Sequence, residues 1–145
     1  MSTNCVFCKI VAGELPSTKV YEDADVLAFM DIGPIIKGHT LVIPKQHVDP
    51  LTKAHVDLLA KLMKVVQKIV HAQMNGLKAD GVNVLNANGA AAGQVVPHLH
   101  FHVVPRFKTD GHHWNWAAKK YESLEEMRNF ADEIRKALPG TTQHG

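Results

Sequence analysis

The stretch VVPHLHFHVVPR, residues 95–106, sets His98, His100 and His102 on alternate positions with Leu99, Phe101 and Val103 between them. Successive side chains of a strand point to opposite faces, so a strand here puts three imidazoles on one side and three apolar groups on the other. The apolar side reads as core. Three successive histidines on the other side point to a lined site rather than to a face that only meets water. One metal ion held by all three is disfavoured. Same-face positions repeat about every 6.6 Å, so the outer two stand about 13 Å apart at Cα, while zinc–nitrogen bonds are only about 2.0–2.1 Å. Phosphoryl or nucleotidyl transfer suits the trio better. Neutral imidazole is a competent nucleophile near neutral pH, and a neighbouring imidazolium can offset phosphate charge or protonate a leaving group.

Upstream of this strand runs NANGAAAGQ, residues 86–94, a small-residue loop. Gly89 and Gly93 allow unusual backbone angles and close approach to a ligand, and Gln94 adds an amide donor. Further β-prone runs lie at 18–21, 26–30, 40–44 and 81–85, and the histidine strand extends over 96–105. Between the third and fourth runs, Leu58, Leu59, Leu62, Val65, Val66, Ile69 and Val70 recur at helical spacing opposite Lys61, Lys64 and Lys68. That spacing predicts one amphipathic helix over 53–74, capped by Thr52. Ser123 and Glu126 have capping-box spacing and predict a second helix ending near Leu138, before Pro139 and Gly140. Mostly short connections between strands argue for an α+β fold, an antiparallel sheet with helices packed on it. The tail from Thr141 reads as frayed.

A chain of 145 residues with 46% hydrophobic content can bury one sizeable core and is too short for two ordinary domains. Its formal charge of +2 lacks the polybasic field of nucleic-acid binders, but leaves room for a phosphate-bearing small molecule. The start, MSTNCVFCKIVAG, has neither the basic nor the apolar region of a signal peptide, and no run reaches membrane-spanning length. The expectation is a soluble, cytoplasmic protein without a membrane or nucleic-acid partner. Cys5 and Cys8, its only cysteines, are too close for a disulfide framework. Their i, i+3 spacing is open to three readings: half of a zinc site, a redox dithiol, or two buried unligated thiols.

HLHFHVV, together with CVFCKIVAGELPS, VYED, LAFMDI, GHTLVIPK and GQ, resembles the histidine triad (HIT) superfamily of nucleotide hydrolases and transferases. The likeness covers about residues 4–106, and the segment 107–145 resembles the end that varies between branches. It implies a single HIT domain over the whole chain, with a five-stranded antiparallel sheet and two helices. Two copies would pair into a ten-stranded homodimer. It implies a purine nucleotide, an AMP or GMP conjugate, as partner. His100 would attack the α-phosphorus and become transiently nucleotidylated, His102 would bond the phosphate and leaving group, and His39 would support them. Asn86 and Gln94, beside Gly93, would contact phosphate or ribose. Asp31, by itself an ordinary turn residue before Gly33 and Pro34, would accept the ribose hydroxyls, and Ile32 and Phe7 would wall the base.

The resemblance further implies adenosine 5′-phosphoramidate hydrolysis, with dinucleoside polyphosphate cleavage and a nucleotide-binding regulatory or scaffold role as alternatives. The branch acting on phosphoramidates often has a serine just after the glutamine, where this chain has Val95. Members with an N-terminal CxxC resemble galactose 1-phosphate uridylyltransferase in holding structural Zn²⁺. The matching ligands here would be Cys5, Cys8, His47 and His98. No Mg²⁺ requirement is expected, because no carboxylate cluster is evident. His55, His71, His112, His113 and His144 match no motif and read as surface histidines, and Trp114 and Trp116 as packing residues.

Overall fold

The computed structural model describes residues 4–114 and 117–140, and the chain divides between Gly111 and His112 into two compact units. Trp116, His144 and the tail from Thr141 lie outside the described residues. In the first unit β1 (Lys19–Glu22), β2 (Val26–Met30), β3 (Thr40–Pro44), β4 (Gly81–Leu85) and β5 (Phe101–Arg106) form one antiparallel sheet, ordered β1-β2-β3-β5-β4. Both faces are covered. Val26, Ala28, Val42, Leu99, Phe101 and Val103 pack against a long helix, α2 (Val56–Gly76), through its Leu62, Val65, Val66 and Ile69. Leu27, Phe29, Leu41 and Ile43 face the other way, onto a short helix α1 (Val6–Val11) with Phe7, Cys8 and Ile10. This double burial is why β2 and β3 read as continuous apolar runs rather than as alternation.

The structure corrects several sequence expectations. The helix predicted over 53–74 begins only at Val56, after a separate 3₁₀ turn over Leu51–Lys53, and its cap is not Thr52. His55 takes that role, its Nδ1 accepting from the Asp57 N–H at 3.1 Å, so this exposed histidine has a structural task. The strand predicted from Val96 begins at Phe101. Pro97 has no N–H to give a ladder, and Leu99 N–H is drawn out of the sheet to Val48 O at 2.8 Å. The last partner pairs are Val42 with Phe101 and Leu85 with His102, so the ladder ends at Phe101. His98 and His100 therefore stand on irregular backbone, yet Leu99 still packs on the α2 side and His98 on the α1 side. Nothing in the sequence had announced α1, whose six residues are too few for a periodic signal.

The second unit carries α3 (Leu124–Ala137), in which Ser123 Oγ accepts from the Glu126 N–H at 3.0 Å as the capping spacing predicts. The Glu126 carboxylate reaches one residue further back, to the Glu122 N–H at 2.9 Å. His112 is half-buried against Trp114, with ring centroids 4.8 Å apart, whereas His71 and His113 are exposed. Among the described residues no helix is long and apolar enough to cross a membrane.

Gly38 brings the chain into β3 with φ +106°, and a Cβ there would lie 2.7 Å from Leu77 Cδ1 and 2.9 Å from Pro105 Cγ. Gly38→Ala should combine backbone strain with overpacking and cost about 2–4 kcal/mol. Urea unfolding would read this as a fall in midpoint, and an unchanged midpoint would contradict the close approach.

Candidate functional site

A cavity of about 500 Å³ opens on the α1 face of the sheet. Its walls are mainly apolar, with Phe7, Ile10, Phe29 and Leu41 deep in it and Asp31, Gly93, His100 and His102 among its lining. Ile32 and Val95 also line it and are exposed by 101% and 89%, free to meet a ligand at the mouth. Among the described residues no lysine or arginine lines it. Gly93 has φ +95° with open space around it, so the loop needs glycine there for its backbone angle.

The hydrogen bonds fix which nitrogen of each ring carries a proton. His100, 5% exposed, places Nδ1 2.6 Å from the His98 carbonyl oxygen, which can only accept. Nδ1 of His100 is therefore the donor, and in the neutral ring the lone pair lies on Nε2. The Ile35 N–H donates to His39 Nδ1 at 3.1 Å, so the His39 proton resides on Nε2. That Nε2 lies 2.9 Å from His102 Nδ1, which must accept, leaving His102 with its proton on Nε2. The pair thus forms a relay from backbone amide to His39 to His102. His39 Nε2 is also 3.6 Å from Asp31 Oδ2, but this is no true ion pair. Burial pulls the His39 pKa down against the opposing pull of Asp31, and protonation of Nδ1 would collide with the Ile35 amide. Burial, aided by His100 and His39, lowers the pKa of His102 to about 4. Asp31, His39 and His102 cluster closely enough to suggest a metal. A His39 Nε2 that carries a proton is a donor, not a ligand.

The remaining expected residues have other tasks. Asn86 Nδ2 donates to the His100 carbonyl at 2.9 Å, and its Oδ1 accepts from Asn88 Nδ2 at 2.7 Å. Asn88 Oδ1 in turn accepts from the Leu51 N–H at 2.8 Å. This amide chain holds the backbone of His100 in place of the missing ladder. The Gln94 Oε1 accepts from Gly89 N–H at 2.7 Å, and its Nε2 donates to Asp49 Oδ1 at 2.7 Å and Val96 O at 3.0 Å. Gln94 therefore braces its own loop. Asp31 Oδ1 accepts from the Gly33 N–H at 2.8 Å, the turn role its sequence context suggests, with Oδ2 facing His39. Asn88, the Ile35 amide and the His98 carbonyl went unread in the sequence, because two are backbone groups and the third is one polar loop residue among several.

Behind His100, Cys5, Cys8, His47 and His98 bring their ligand atoms within 4.8 Å of one another. Cys5 Sγ and Cys8 Sγ stand 3.3 and 3.7 Å from His98 Nδ1, and Cys8 Sγ is 3.3 Å from His47 Nδ1. A tetrahedral ion with bonds of about 2.3 Å to sulfur and 2.05 Å to nitrogen separates sulfur from nitrogen by about 3.5 Å. The donor set fits that geometry. His98 is fully buried, and its Nε2 lies 2.8 Å from the Pro44 carbonyl oxygen, so Nε2 carries the proton and Nδ1 offers its lone pair to the cluster. Cys5 and Cys8 are not joined by a disulfide, so both sulfurs remain as donors.

A small α+β domain with an apolar cavity, a histidine relay and a Cys2His2 cluster is defined by these features. The chain belongs to the HIT domain family, whose model matches residues 12–109. It is 45% identical over 138 residues to Protein hit of Bacillus subtilis, covering 93% of this chain and 94% of that protein. It is 42% identical over 107 residues to the adenosine 5′-monophosphoramidase HNT1 of Candida albicans, covering 71% of this chain and 70% of that one. Among solved structures, a zinc-bound histidine triad family protein from Mycobacterium smegmatis superposes with TM-score 0.74 at 40% identity, covering 95% of this chain and 100% of that one.

The neutral, half-buried His102 has a consequence for stability. An unfolded histidine takes up its proton near pH 6.5, whereas native His102 refuses it until about pH 4. Urea midpoints should therefore fall as pH drops from 6.5 towards 4, and His102→Asn should remove part of that slope. Identical slopes in the two proteins would contradict the neutral ring.

Proposed function

We propose that this protein hydrolyses purine nucleotide conjugates at the α-phosphate, with adenosine 5′-phosphoramidates as the foremost substrates, through a nucleotidyl-histidine on His100. The observation that carries the reading is the His98 carbonyl bond, which leaves His100 Nε2 as a free nucleophile in the cavity lining. The apolar walls around Phe7, with Ile32 at the mouth, suit a purine, and Asp31 in the lining offers a carboxylate to ribose hydroxyls. The phosphoramidase name of the Candida albicans relative supports the same class.

In the first step His100 Nε2 bonds to the α-phosphorus, and the bond from phosphorus to the leaving nitrogen breaks. Its electron pair goes to that nitrogen. The Nε2–H of His102 bonds a phosphate oxygen or the leaving atom as charge builds there. Neutral His102 supplies a hydrogen bond and not a net proton, because its partner His39 has no replacement to pass on. The departing amine takes its proton from water, and Val95 offers no hydroxyl in its place. In the second step water attacks the phosphorus and gives its proton to the hydroxide left by the first step, while the bond to Nε2 breaks with its electron pair returning to the ring, and His100 is restored. Two easier displacements replace one hard one.

Dinucleoside polyphosphate cleavage is the second reading, and a binding-only role is the third. A polyphosphate leaving group would bring several negative charges to a lining that holds Asp31 and, among the described residues, no lysine or arginine, which favours the amidate. A pairing of two copies is supported by β4, which ends the sheet and has a strand neighbour on one side only among the described residues of the first unit.

We further propose that Cys5, Cys8, His47 and His98 hold Zn²⁺, a reading supported by the zinc-bound relative from Mycobacterium smegmatis. The bound ion would supply structural bracing, since four protein ligands leave no open position for water. Purified protein should carry one zinc per chain by mass spectrometry. Cys8→Ala should lose it together with several degrees of melting temperature, and zinc-free protein of undiminished stability would oppose this.

Kinetics with adenosine 5′-phosphoramidates and a diadenosine polyphosphate test the main reading. His100→Ala should lower kcat/KM for the amidate at least a thousandfold. Weakly basic amines should leave fastest, as expected without an internal acid. Comparable turnover by His100→Ala, or faster turnover of the polyphosphate, would overturn the assignment.

A further inference from the structure

One residue on the far side of the sheet touches both strands that carry the relay. Gln73 occupies the position after Leu62, Val65, Val66 and Ile69 on the buried stripe of α2, where spacing calls for an apolar group, and it is 3% exposed. Its Nε2 donates to Val103 O at 2.9 Å and Gly38 O at 3.1 Å, with Thr40 Oγ1 at 3.5 Å. Gly38 immediately precedes His39, and Val103 immediately follows His102.

The tie falls where the backbone provides none. The β3–β5 ladder covers only Thr40–Val42 opposite Phe101–Val103, so His39 lies just beyond its end. The His39 N–H turns back to Ile36 O at 2.9 Å, and its carbonyl accepts from Asp31 N–H at 3.0 Å. The glycine at 38 lets this segment approach α2 closely enough for a side chain on that helix to reach it. The Gln73 Oε1 has no partner among the described residues. The amide is thus oriented by its two donors, since turning it over would set oxygen against two carbonyl oxygens.

We propose that Gln73 is a positioning residue for the active site: by clamping Gly38 to Val103 it holds His39 Nε2 at hydrogen-bond distance from His102 Nδ1 and thereby sets the His102 tautomer. Its catalytic consequence rests on the function proposed above, but the tautomer does not depend on any substrate. Without the clamp the two strands are free to separate where the ladder has already ended. His102 then loses the donor that keeps its proton on Nε2, and the N–H that meets the phosphate is no longer assured. A slip of this kind lowers the rate of the chemical step more than it weakens binding.

The test uses the full chain with ¹⁵N-labelled histidine at pH 7.5. Wild type should show a single His102 tautomer protonated at Nε2, and Gln73→Met, which keeps size but has no donor, should show a mixture. With an adenosine 5′-phosphoramidate, Gln73→Met should lose about tenfold in kcat while KM changes less than about twofold. Ile69→Val, one turn earlier on the same buried stripe, serves as a destabilised control and should keep the wild-type tautomer and kcat. Gln73→Glu, which puts oxygen where the NH₂ group stands, should reproduce the mixture if Gln73→Met fails to fold. In wild type, through-hydrogen-bond couplings should link Gln73 Nε2 to the carbonyl carbons of Gly38 and Val103, a readout that requires no variant. Absence of those couplings, a wild-type tautomer in either Gln73 variant, or an equal kcat loss in Ile69→Val would overturn the proposal. Failure of wild type to turn over the phosphoramidate would strike the proposed function alone and leave the tautomer result to judge Gln73.

Discussion

The carbonyl oxygen of His98 lies 2.6 Å from His100 Nδ1, and the chemistry of the site depends on that bond. A carbonyl cannot donate, so Nδ1 of His100 carries a proton. The same logic sets His98 against the Pro44 carbonyl, and His39 against the Ile35 amide. Backbone groups thus decide the proton position on three of the four rings, and the His39–His102 contact decides the last. Because main-chain groups are held by the fold itself, the site is arranged before any ligand arrives, which is what electrostatic preorganisation requires.

The sheet gives the site and the cysteine cluster a common frame. His98 belongs to both: its ring joins Cys5 and Cys8, while its carbonyl fixes His100. Helix α1 belongs to both as well. Cys5 caps it through a contact of 3.4 Å with the Cys8 N–H, and Phe7 on the same helix meets the His100 ring edge-on with centroids 5.1 Å apart. Whatever holds the N-terminal helix down also walls the cavity and backs His100. The middle histidine is thereby flanked by His98, whose ring joins the cysteine cluster, and His102, whose neutral ring is held by His39.

Much of this was legible in the residues. Alternation in HLHFHVV placed Leu99, Phe101 and Val103 in the core, and the apolar runs at 26–30 and 40–44 gave the central strands to the residue. Legibility failed where long-range contacts overrode local pattern. The irregular backbone at Val96–His100 is set by Val48 and Asn86, which are distant in sequence, and alternation could not reveal that the ladder stops at Phe101. Helix α1 was invisible because it is short. Asn86 and Gln94 carry the right chemistry to meet phosphate, but spacing alone could not say that their amides bond to protein. Gln73 did leave a mark, a polar residue at a buried helical position, which is the kind of local inconsistency that accompanies a specific task.

The most direct test is single-turnover reaction with an adenosine 5′-phosphoramidate, quenched in milliseconds, digested and sequenced by mass spectrometry. A peptide bearing one adenylyl group on His100, appearing and then decaying at the rate of AMP release, is the expected result. An adduct on His98, His102 or His39, or AMP formed at full rate with no adduct on any histidine, would contradict it.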